Sequence, residues 1–383
     1  MRKLIRITTV PLSFFGLLKG QLRFMKNFYE TIGVTSPGDL VKDITSYENV
    51  PFQTVEMTRT ISPLKDSKAV LKLYKLFRKE KPFIVHTHTP KAGTVGMLAA
   101  KLAGVPHRFH TVAGLPLLEA TGNKRRLLNV VEKVTYSCAT KIYPNSNGLL
   151  DIIAKNKFAP ASKLKVIGNG SSNGIDTSYF DPAIISSEHK AELKNEFNIS
   201  SDDFVYLFIG RLVGDKGVNE LVSAFSKLNA EKKNIKLLLV GPLEEDLDAL
   251  LPQTITQIET NKNILSTGFV KDVRPYFAIS DCLVFPSYRE GFPNVVMQAG
   301  SMGLPSIVSD INGCNEIVKN GVNGTIIPVK NEGAIYDEMK NYLANPKWLN
   351  QLKSNARELI CNRYEQQLVW AGILEEYKNC EPN

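Results

Sequence analysis

The sequence lacks the features that would assign it to several large protein classes. No apolar run reaches the ~18–20 residues that a membrane-spanning helix needs, although 43% of the residues are hydrophobic. No Cys-x-x-Cys pair occurs among the five cysteines, which are odd in number and widely spaced, so neither a disulfide framework nor a zinc site is indicated. No Gly-x-Gly-x-x-Gly turn follows the first predicted strand of either half, which disfavours a nicotinamide-dependent dehydrogenase. The cysteine pattern fits a reducing cytoplasm.

The start of the chain is basic and then apolar, as in a signal peptide. Arg6 interrupts the apolar stretch, however, and Pro11 follows without a small-residue cleavage site. We therefore expect the first residues to form a buried strand.

Positive charge is concentrated in the first part of the chain. The formal net charge is +9, but residues 1–170 hold 27 Lys and Arg against 10 Asp and Glu, a balance of 27 − 10 = +17, which leaves −8 for the remainder. Such asymmetry indicates an anionic partner for the first half: nucleic acid, an anionic membrane surface or a phosphorylated substrate.

The length and the alternation of patterns predict two α/β domains. A chain of 383 residues exceeds the ~250–300 residues at which single cores stop growing. We expect a first domain at 1–175, a linker rich in Gly, Ser, Asn and Pro at 176–200, and a second domain at 201–363. The last stretch, about 364–383, is amphipathic and is expected to pack back on the first domain.

Short apolar, β-branched runs alternate with amphipathic stretches, which is the pattern of βα units and a mostly parallel sheet. In open parallel sheets, ligands bind beyond the carboxyl ends of the strands, so we expect the site there, in a cleft between the domains. The predicted strands are 4–10, 83–89, 107–113, 141–146 and 163–170 in the first half, and 204–210, 235–241, 264–269, 281–287, 305–310 and 325–329 in the second.

The first strand of the second half ends in a turn suited to phosphate. Gly210, Arg211, Lys216 and Gly217 lie between this strand and the next helix. Glycine lets the backbone approach a ligand, and the free N–H groups and dipole of a helix start favour negative charge. Arg211 and Lys216 would add a forked donor and a point charge for a diphosphate, although an ordinary surface Arg and Lys would look the same.

A second helix start follows the predicted strand at 281–287. The helix is expected to begin near Pro293 and Asn294, with Glu290 just outside it, where the carboxylate can accept hydrogen bonds from hydroxyls. Two anion-binding helix starts beside a carboxylate suit a ligand that is part phosphate and part polyol. A nucleotide-activated sugar is such a ligand.

These motifs resemble the retaining glycosyltransferases of family 4, over nearly the whole chain. The stretch "GRLVGDKGVNELVSAF" resembles the diphosphate-binding segment of the family, and "EGFPNVVMQAGSMGLPSIVSD" resembles its signature of two Glu separated by seven residues. In the first half, "VHTHTPKAGTVGMLAAKLAGVPHRFHTVAGLP" resembles the subgroup that builds capsular, exopolysaccharide or O-antigen units. The resemblance implies the GT-B arrangement of two Rossmann-like domains with an interdomain cleft.

The resemblance also implies roles for individual residues. Arg211 and Lys216 would bind the donor diphosphate, and Glu290 would contact hydroxyls of the transferred sugar. Gln298 stands where the family has its second Glu, the ribose partner, and its carbonyl can accept the same bond without the charge that makes such bonds stronger. The implied donor site also includes Gly210, Gly291, Phe292, Pro293 and Asn294.

A second departure from the family lies in the first half. The family presents a His or Arg just before the Gly of a Thr-Val-x-Gly turn, and here Ala113 occupies that position. His110, three residues earlier, would serve instead only if the local backbone differs. His88, Lys91 and Gly16 are predicted on the acceptor side, although a buried histidine with satisfied hydrogen bonds is the favoured alternative for His86 and His88.

The chemistry that the resemblance implies needs neither a metal nor a cofactor. Retention of configuration asks mainly for stabilisation of the leaving diphosphate, for which Arg211, Lys216 and helix-start amides are suited. No strong base is needed if the leaving phosphate takes the acceptor proton. No Asp-x-Asp lies at a suitable strand end.

Basic amphipathic stretches suggest docking on an anionic membrane, where a polyprenyl-diphosphate-linked sugar would be the acceptor. The stretch 11–30 combines Phe14, Leu18 and Leu22 with Lys and Arg, and 71–81 and 122–133 add further basic surface. For the latter two stretches, packing of the apolar face on the first sheet is the favoured alternative.

The sequence therefore predicts a cytoplasmic, peripherally membrane-associated glycosyltransferase of bacterial surface polysaccharide synthesis, with uridine diphosphate as the expected carrier of the sugar. Two alternatives stay open: a relative that holds a nucleotide sugar without turnover, and a nucleotide-sugar epimerase of similar architecture. Nucleic-acid binding is disfavoured, because the basic residues are not part of a recognisable recognition module.

Overall fold

The computed structural model describes residues 1–58, 60–244 and 248–382. The chain divides into two compact units, one formed by Met1–Gly174 with Gln366–Asn383 and the other by Ile175–Glu365. The segment 176–200, expected as a linker, contains the helix Ser187–Glu196 and contributes Leu193 and Ile199 to the core of the second unit.

The first unit is built on a six-stranded parallel sheet with the strand order β3-β2-β1-β4-β5-β6. The chain runs outward from β1 through β2 and β3 and then returns to β4 on the other side of β1, so the strand order reverses between β1 and β4. This is the Rossmann order of strands. The strands are β1 Lys3–Ile7, β2 Glu30–Thr35, β3 Phe52–Thr54, β4 Ile84–His88, β5 His107–Val112 and β6 Lys141–Pro144.

Helices connect these strands and cover the sheet, because each βα unit needs a crossover to reach the next parallel strand. The strand predicted at 163–170 is wrong: this described segment forms only a single bridge, between Leu164 and Ile142. The helices are α1 Leu12–Leu17, α2 Gln21–Met25, α3 Leu40–Glu48, α4 Pro63–Glu80, α5 Pro90–Leu102, α6 Gly122–Cys138 and α7 Asn147–Lys155.

The second unit repeats the arrangement, with the order β12-β11-β10-β7-β8-β9. Read from the other edge, this is the same Rossmann order, and the reversal falls between β7 and β10. Each strand predicted in the second half overlaps one of these six. The strands are β7 Phe204–Ile209, β8 Ile235–Val240, β9 Ile264–Ser266, β10 Cys282–Phe285, β11 Ser306–Ser309 and β12 Gly324–Ile327.

The strands of the second unit are short because glycine or proline ends most of them, and their side chains are buried on both faces, as helix-covered parallel sheets require. The helices are α8 Ser187–Glu196, α9 Val218–Glu231, α10 Pro252–Thr260, α11 Arg274–Ala278, α12 Asn294–Ser301, α13 Cys314–Ile317, α14 Glu332–Ala344 and α15 Pro346–Tyr364.

The last helix, α16 Gln366–Lys378, belongs to the first unit. Val369, Ile373 and Tyr377 are buried with Leu4 and Phe109 of the sheet. The hydroxyl of Tyr377 accepts a hydrogen bond of 2.9 Å from the buried Arg6.

The apolar side chains of residues 11–30 are packed inside the first unit. Phe14, Leu18 and Leu22 are buried together with Ile44 and Val50. The prediction that these side chains face a membrane is therefore wrong, because the short helices α1 and α2 turn them inward. Among the residues that the structure describes, no helix has both the length and the apolar character needed to cross a bilayer.

Candidate active site

The phosphate-binding turn predicted after the first strand of the second unit lies at the carboxyl end of β7. Gly210 and Arg211 follow the strand, a single helical turn spans Gly214–Lys216, and α9 begins after Gly217. Gly217 has a φ of +72°, and a Cβ there would come within 2.2 Å of the Pro286 carbonyl oxygen. Only glycine lets this turn approach the end of β10 so closely.

The second predicted helix start lies at the carboxyl end of β10, directly beside β7. The chain passes through Glu290 and Gly291 to the buried Pro293, and α12 begins at the exposed Asn294. The Nδ2 group of Asn312 donates to the Glu290 carbonyl oxygen at 3.1 Å and holds the turn from the far side. The strand order reverses at this pair of strands, which is where ligands bind in open α/β sheets.

The two turns meet through an ion pair. The ammonium group of Lys216 donates to the Glu290 carboxylate, and both side chains are largely buried. The Ser287 hydroxyl donates to the same carboxylate at 3.3 Å. Of these three residues, the sequence analysis singled out Lys216 and Glu290 but not Ser287.

The guanidinium of Arg211 contacts a carboxylate as well. Its Nη1 donates to Glu244 Oε2 at 2.9 Å, and both side chains are partly exposed to solvent. Both predicted phosphate ligands therefore contact carboxylates. A carboxylate and a phosphate present similar charged oxygen acceptors to Arg and Lys.

A further set of contacts, which the sequence analysis missed, braces the two turns. Arg289 donates to the Asp215 carboxylate at 2.5 Å, and the Asp248 carboxylate accepts from the Asp215 backbone N–H at 2.6 Å. The Tyr288 hydroxyl donates to Glu220 at 2.5 Å, and burial raises the pKa of that hydroxyl. Tyr288 and Arg289 directly precede Glu290 in the sequence, and this proximity could have identified them as part of the site.

Gln298 lies in the second turn of α12 and is half-buried. Within the described ranges, no residue forms a hydrogen bond to its side-chain amide, while its backbone carbonyl oxygen accepts from the Met302 N–H. Phe292 packs edge-on against Tyr364, with 5.4 Å between the ring centroids, and so contributes to the core.

In the first unit, His88 is buried at the end of β4 and belongs to a polar cluster around Arg6. The Nε group of Arg6, on β1, donates to His88 Nε2 at 3.1 Å, and Arg6 also donates to Gln21. Burial, and then the charge of Arg6, holds the pKa of His88 well below its usual range. The imidazole is therefore neutral. The cluster was signalled in the sequence by an arginine inside an apolar strand.

The histidine next to His88 on the same face is also enclosed. His86 contacts the Tyr377 hydroxyl at 2.5 Å and the Thr111 hydroxyl at 2.8 Å. In the described part of the chain, no three His, Cys, Asp or Glu side chains gather as metal ligands.

His110 lies in the interior of the first unit, beneath α5. Its Nδ1 is 2.8 Å from the Thr87 hydroxyl, and a Cβ on Gly93 would come within 2.4 Å of its ring. Burial lowers the pKa of His110 to about 4. His110 lies within β5, and the half-buried Ala113 directly follows that strand.

The two remaining acceptor-side residues lie at the carboxyl edge of the first sheet. Lys91, in the first turn of α5, forms a 2.6 Å ion pair with Asp66 of α4. Gly16 is exposed in α1, and no atom lies within 4 Å of where a Cβ would stand. Thr89, between β4 and α5, has a φ of +77° and contacts Thr9 at 2.7 Å through their hydroxyls.

Comparison with known proteins agrees with this geometry. The family model "Glycosyl transferases group 1" matches residues 189–359, and the model "Glycosyl transferase 4-like domain" matches residues 34–170. The capsular polysaccharide biosynthesis glycosyltransferase CapM of Staphylococcus aureus is 31% identical over 376 residues, which are 98% of this chain and 97% of CapM. The chain therefore belongs to the group 1 glycosyltransferases, and it is a transferase.

Another relative and a solved structure support the assignment. The UDP-Gal:α-D-GlcNAc-diphosphoundecaprenol α-1,3-galactosyltransferase of Escherichia coli is 34% identical over 322 residues, which are 82% of this chain and 79% of that enzyme. The crystal structure of a glycosyltransferase from Rickettsia africae ESF-5 matches with a TM-score of 0.82 at 19% identity, over 99% of this chain and 98% of that one. The predicted GT-B class of two Rossmann-like units is confirmed.

Proposed function

We propose that this transferase moves a sugar from a UDP-sugar, with retention of anomeric configuration, to a polyprenyl-diphosphate-linked saccharide in bacterial surface polysaccharide synthesis. The observation that carries the proposal is the meeting of Lys216 and Glu290, with Arg211 nearby, where the strand order of the second sheet reverses. The names of the Staphylococcus and Escherichia relatives support the polysaccharide product, the UDP carrier and the lipid-linked acceptor.

The donor diphosphate is bound by exchange of carboxylates for phosphates. Arg211 leaves Glu244, and Lys216 turns from Glu290, to bind phosphate oxygens, which carry more charge and accept more hydrogen bonds. The backbone at the start of α9 adds N–H donors. Glu290 is then available to accept bonds from hydroxyls of the transferred sugar.

Gln298 accepts a hydrogen bond from a ribose hydroxyl. Its half-buried amide has no protein partner among the described residues, so binding a hydroxyl breaks no existing contact. A neutral acceptor forms a weaker bond than a carboxylate would, and we expect a loss on the order of 1 kcal/mol in donor binding. Gly291, Pro293 and Asn294 supply the helix start beside the sugar.

The rate acceleration comes mainly from stabilising the leaving diphosphate. Arg211 and Lys216 neutralise the charge that develops as the bond between the sugar and the phosphate breaks. The leaving phosphate takes the acceptor proton on the same face of the sugar, which preserves configuration. No protein base is required, in keeping with Ala113 at the family's His or Arg position.

On the acceptor side, we propose that Lys91 and the loop around Gly16 contact the acceptor diphosphate and saccharide. The buried His88 and His110 act indirectly. Both are neutral, and they hydrogen-bond to Arg6 and Thr87, respectively. These bonds hold the strand ends against which that loop and α5 pack. The enzyme works in the cytoplasm, at the inner face of the plasma membrane.

Thermal unfolding with UDP, GDP and ADP at millimolar concentration tests the donor assignment. A ligand at 100 times its dissociation constant adds about 2.7 kcal/mol, or roughly 2–4 °C for a domain of this size. We expect a shift with UDP that exceeds those with GDP and ADP. Equal shifts, or none, would contradict the proposed donor.

A further inference from the structure

Each of the two turns of the candidate site carries two adjacent residues of opposite charge. On the turn after β7, Asp215 precedes Lys216. On the turn after β10, Arg289 precedes Glu290. Lys216 pairs with Glu290. Beside this contact, Arg289 Nη2 donates to Asp215 Oδ2 at 2.5 Å. Two ion pairs of opposite direction therefore join the turns.

Asp215 is the more firmly held member of the second ion pair. Its backbone N–H donates to Asp248 Oδ2 at 2.6 Å, and its backbone carbonyl oxygen accepts from the Tyr288 N–H at 2.9 Å. The Asp215 side chain is 16% exposed, whereas that of Arg289 is 45% exposed. Arg289 therefore reaches from the turn after β10 to a carboxylate whose position is already fixed.

The position of Glu290 depends on this ion pair, because Glu290 directly follows Arg289 in the chain. From the other side, Asn312 Nδ2 donates to the Glu290 backbone carbonyl oxygen at 3.1 Å. The Glu290 carboxylate itself contacts Lys216 and the Ser287 hydroxyl. The Glu290 backbone is thus held between Arg289 and Asn312, independently of what its carboxylate binds.

The two ion pairs respond differently to a donor. In the proposed function, Lys216 leaves Glu290 for the donor diphosphate, so the first ion pair is broken when the site is occupied. Arg289 and Asp215 take no part in that exchange, and their ion pair persists. Displacing a group that contacts the reacting substrate by ~1 Å can lower a rate by ~100-fold. A carboxylate that must contact the transferred sugar therefore needs such a persistent ion pair beside it.

We propose that Arg289 and Asp215 are positioning residues. Their ion pair keeps the Glu290 carboxylate directed at the donor sugar after Lys216 has turned to the diphosphate. The inference rests on the proposed function, which assigns Lys216 to the phosphates and Glu290 to the sugar. Neither Arg289 nor Asp215 needs to contact the donor for this role.

Hydrogen exchange of the full chain without ligand tests whether either ion pair alone can hold the turns together. The reporter is the Tyr288 N–H, which donates to the Asp215 carbonyl oxygen across the turns. Lys216→Ala removes one ion pair, and Arg289→Gln removes the other. We expect exchange within about twofold of the wild type in each single variant and about tenfold faster exchange in K216A/R289Q. Slow exchange in the double variant would overturn the inference, whether or not the enzyme transfers sugar.

Kinetics with the UDP-sugar that the wild type uses test the positioning of Glu290. We expect Arg289→Gln to lower kcat by about tenfold. The Kd of UDP, which carries no sugar, should stay within about twofold of the wild-type value. Arg289→Lys keeps the positive charge and should recover most of the lost kcat. A rise in the Kd of UDP as large as the fall in kcat, or no recovery by lysine, would show a general disruption of the site and overturn the inference.

A double-mutant cycle tests whether the two residues act as a pair. Asp215→Asn should lower kcat by about tenfold, and D215N/R289Q should lower it by no more than either single variant, since all three lack the same ion pair. Additive losses, about a hundredfold in the double variant, would contradict a shared role. Lys340→Gln is the control and should leave kcat unchanged, because Lys340 is 46% exposed and pairs with Glu231 in the same unit. Absence of transfer by the wild type would count against the proposed function only, because hydrogen exchange tests the ion pairs separately.

Discussion

The ammonium group of Lys216 and the carboxylate of Glu290, 74 residues apart in the sequence, form an ion pair at the carboxyl edge of the second sheet. Lys216 follows β7 and Glu290 follows β10, the two neighbouring strands between which the strand order reverses. The contact joins the residue that binds the donor phosphates in our proposal to the residue that contacts the donor sugar.

Removal of Lys216 should weaken the binding of UDP. A charge-assisted bond to phosphate contributes about 2 kcal/mol, so we expect the Kd of UDP for Lys216→Ala to rise by roughly 30-fold in calorimetric titration. Lys227→Ala is the matched control, because Lys227 also pairs with a carboxylate, Glu332, in the same unit. Equal Kd values for the two variants would exclude Lys216 as a phosphate ligand.

Restoring the carboxylate at position 298 should strengthen donor binding. We expect Gln298→Glu to lower the Kd of UDP roughly fivefold, because the charged acceptor adds on the order of 1 kcal/mol to the bond with the ribose hydroxyl. Gln351→Glu, on the exposed face of α15, introduces the same charge elsewhere and should leave the Kd unchanged. A higher Kd of UDP for Gln298→Glu would mean that Gln298 faces something other than the ribose.

The close approach of the two site turns depends on Gly217. An added Cβ would need a left-handed backbone and would also meet the Pro286 carbonyl oxygen at 2.2 Å. We expect Gly217→Ala to lower the free energy of unfolding by about 3 kcal/mol in denaturant titration. Gly303 shares the left-handed backbone, with a φ of +78°, but has open space, so Gly303→Ala should cost only about 1 kcal/mol. Equal losses of unfolding free energy in the two variants would show that the close approach to Pro286 adds nothing to the cost at Gly217.

The second unit was predictable from the sequence to a large extent. Each of its strands contains a short run of apolar residues, and glycine or proline follows most of these runs closely, so this pattern is local. Arg211, Lys216 and Glu290 could be picked out because they follow such strands, and the carboxyl ends of parallel strands meet at one edge. The partners of these residues, such as Glu244, were not predictable, because they depend on how loops of different strands meet.

The first unit was predicted less well, because two of its features depend on distant neighbours. The strands β2 and β3 were missed: β3 has only three residues, and β2 contains Gly33, which is required by the ring of Phe52, within 2.3 Å of where a Cβ would stand. In α6, the polarity pattern predicts a helix but not which side faces the sheet. That side is fixed by contacts such as the one between Thr135 and Thr94.

The buried histidines should make the protein sensitive to acid. The folded-state pKa of His110 is about 4, below the ~6.5 of an unfolded chain, so between these values the unfolded state binds a proton that the folded state does not. The free energy of unfolding must then fall as the pH drops from 6.5 towards 4, by about 1.4 kcal/mol per pH unit for this group.

Replacing this histidine should reduce that dependence. We expect His110→Gln to lose less stability than the wild type between pH 6.5 and 5, with a slope smaller by about one proton, in urea titrations at a series of pH values. His86 and His88, whose pKa values are also lowered by burial, keep part of the slope. An unchanged slope would show that His110 is accessible to protons in the folded state.

The most direct test of the proposed function is to follow a labelled sugar from UDP-sugars, supplied one at a time, into polyprenyl-diphosphate-linked saccharides. The product is extracted, and its anomeric configuration is read by NMR. We predict transfer that requires the acceptor, retains the configuration of the donor, and is lost in Lys216→Ala. Conversion of a UDP-sugar without acceptor, an inverted linkage, or no consumption of any UDP-sugar by the folded protein would contradict the proposal.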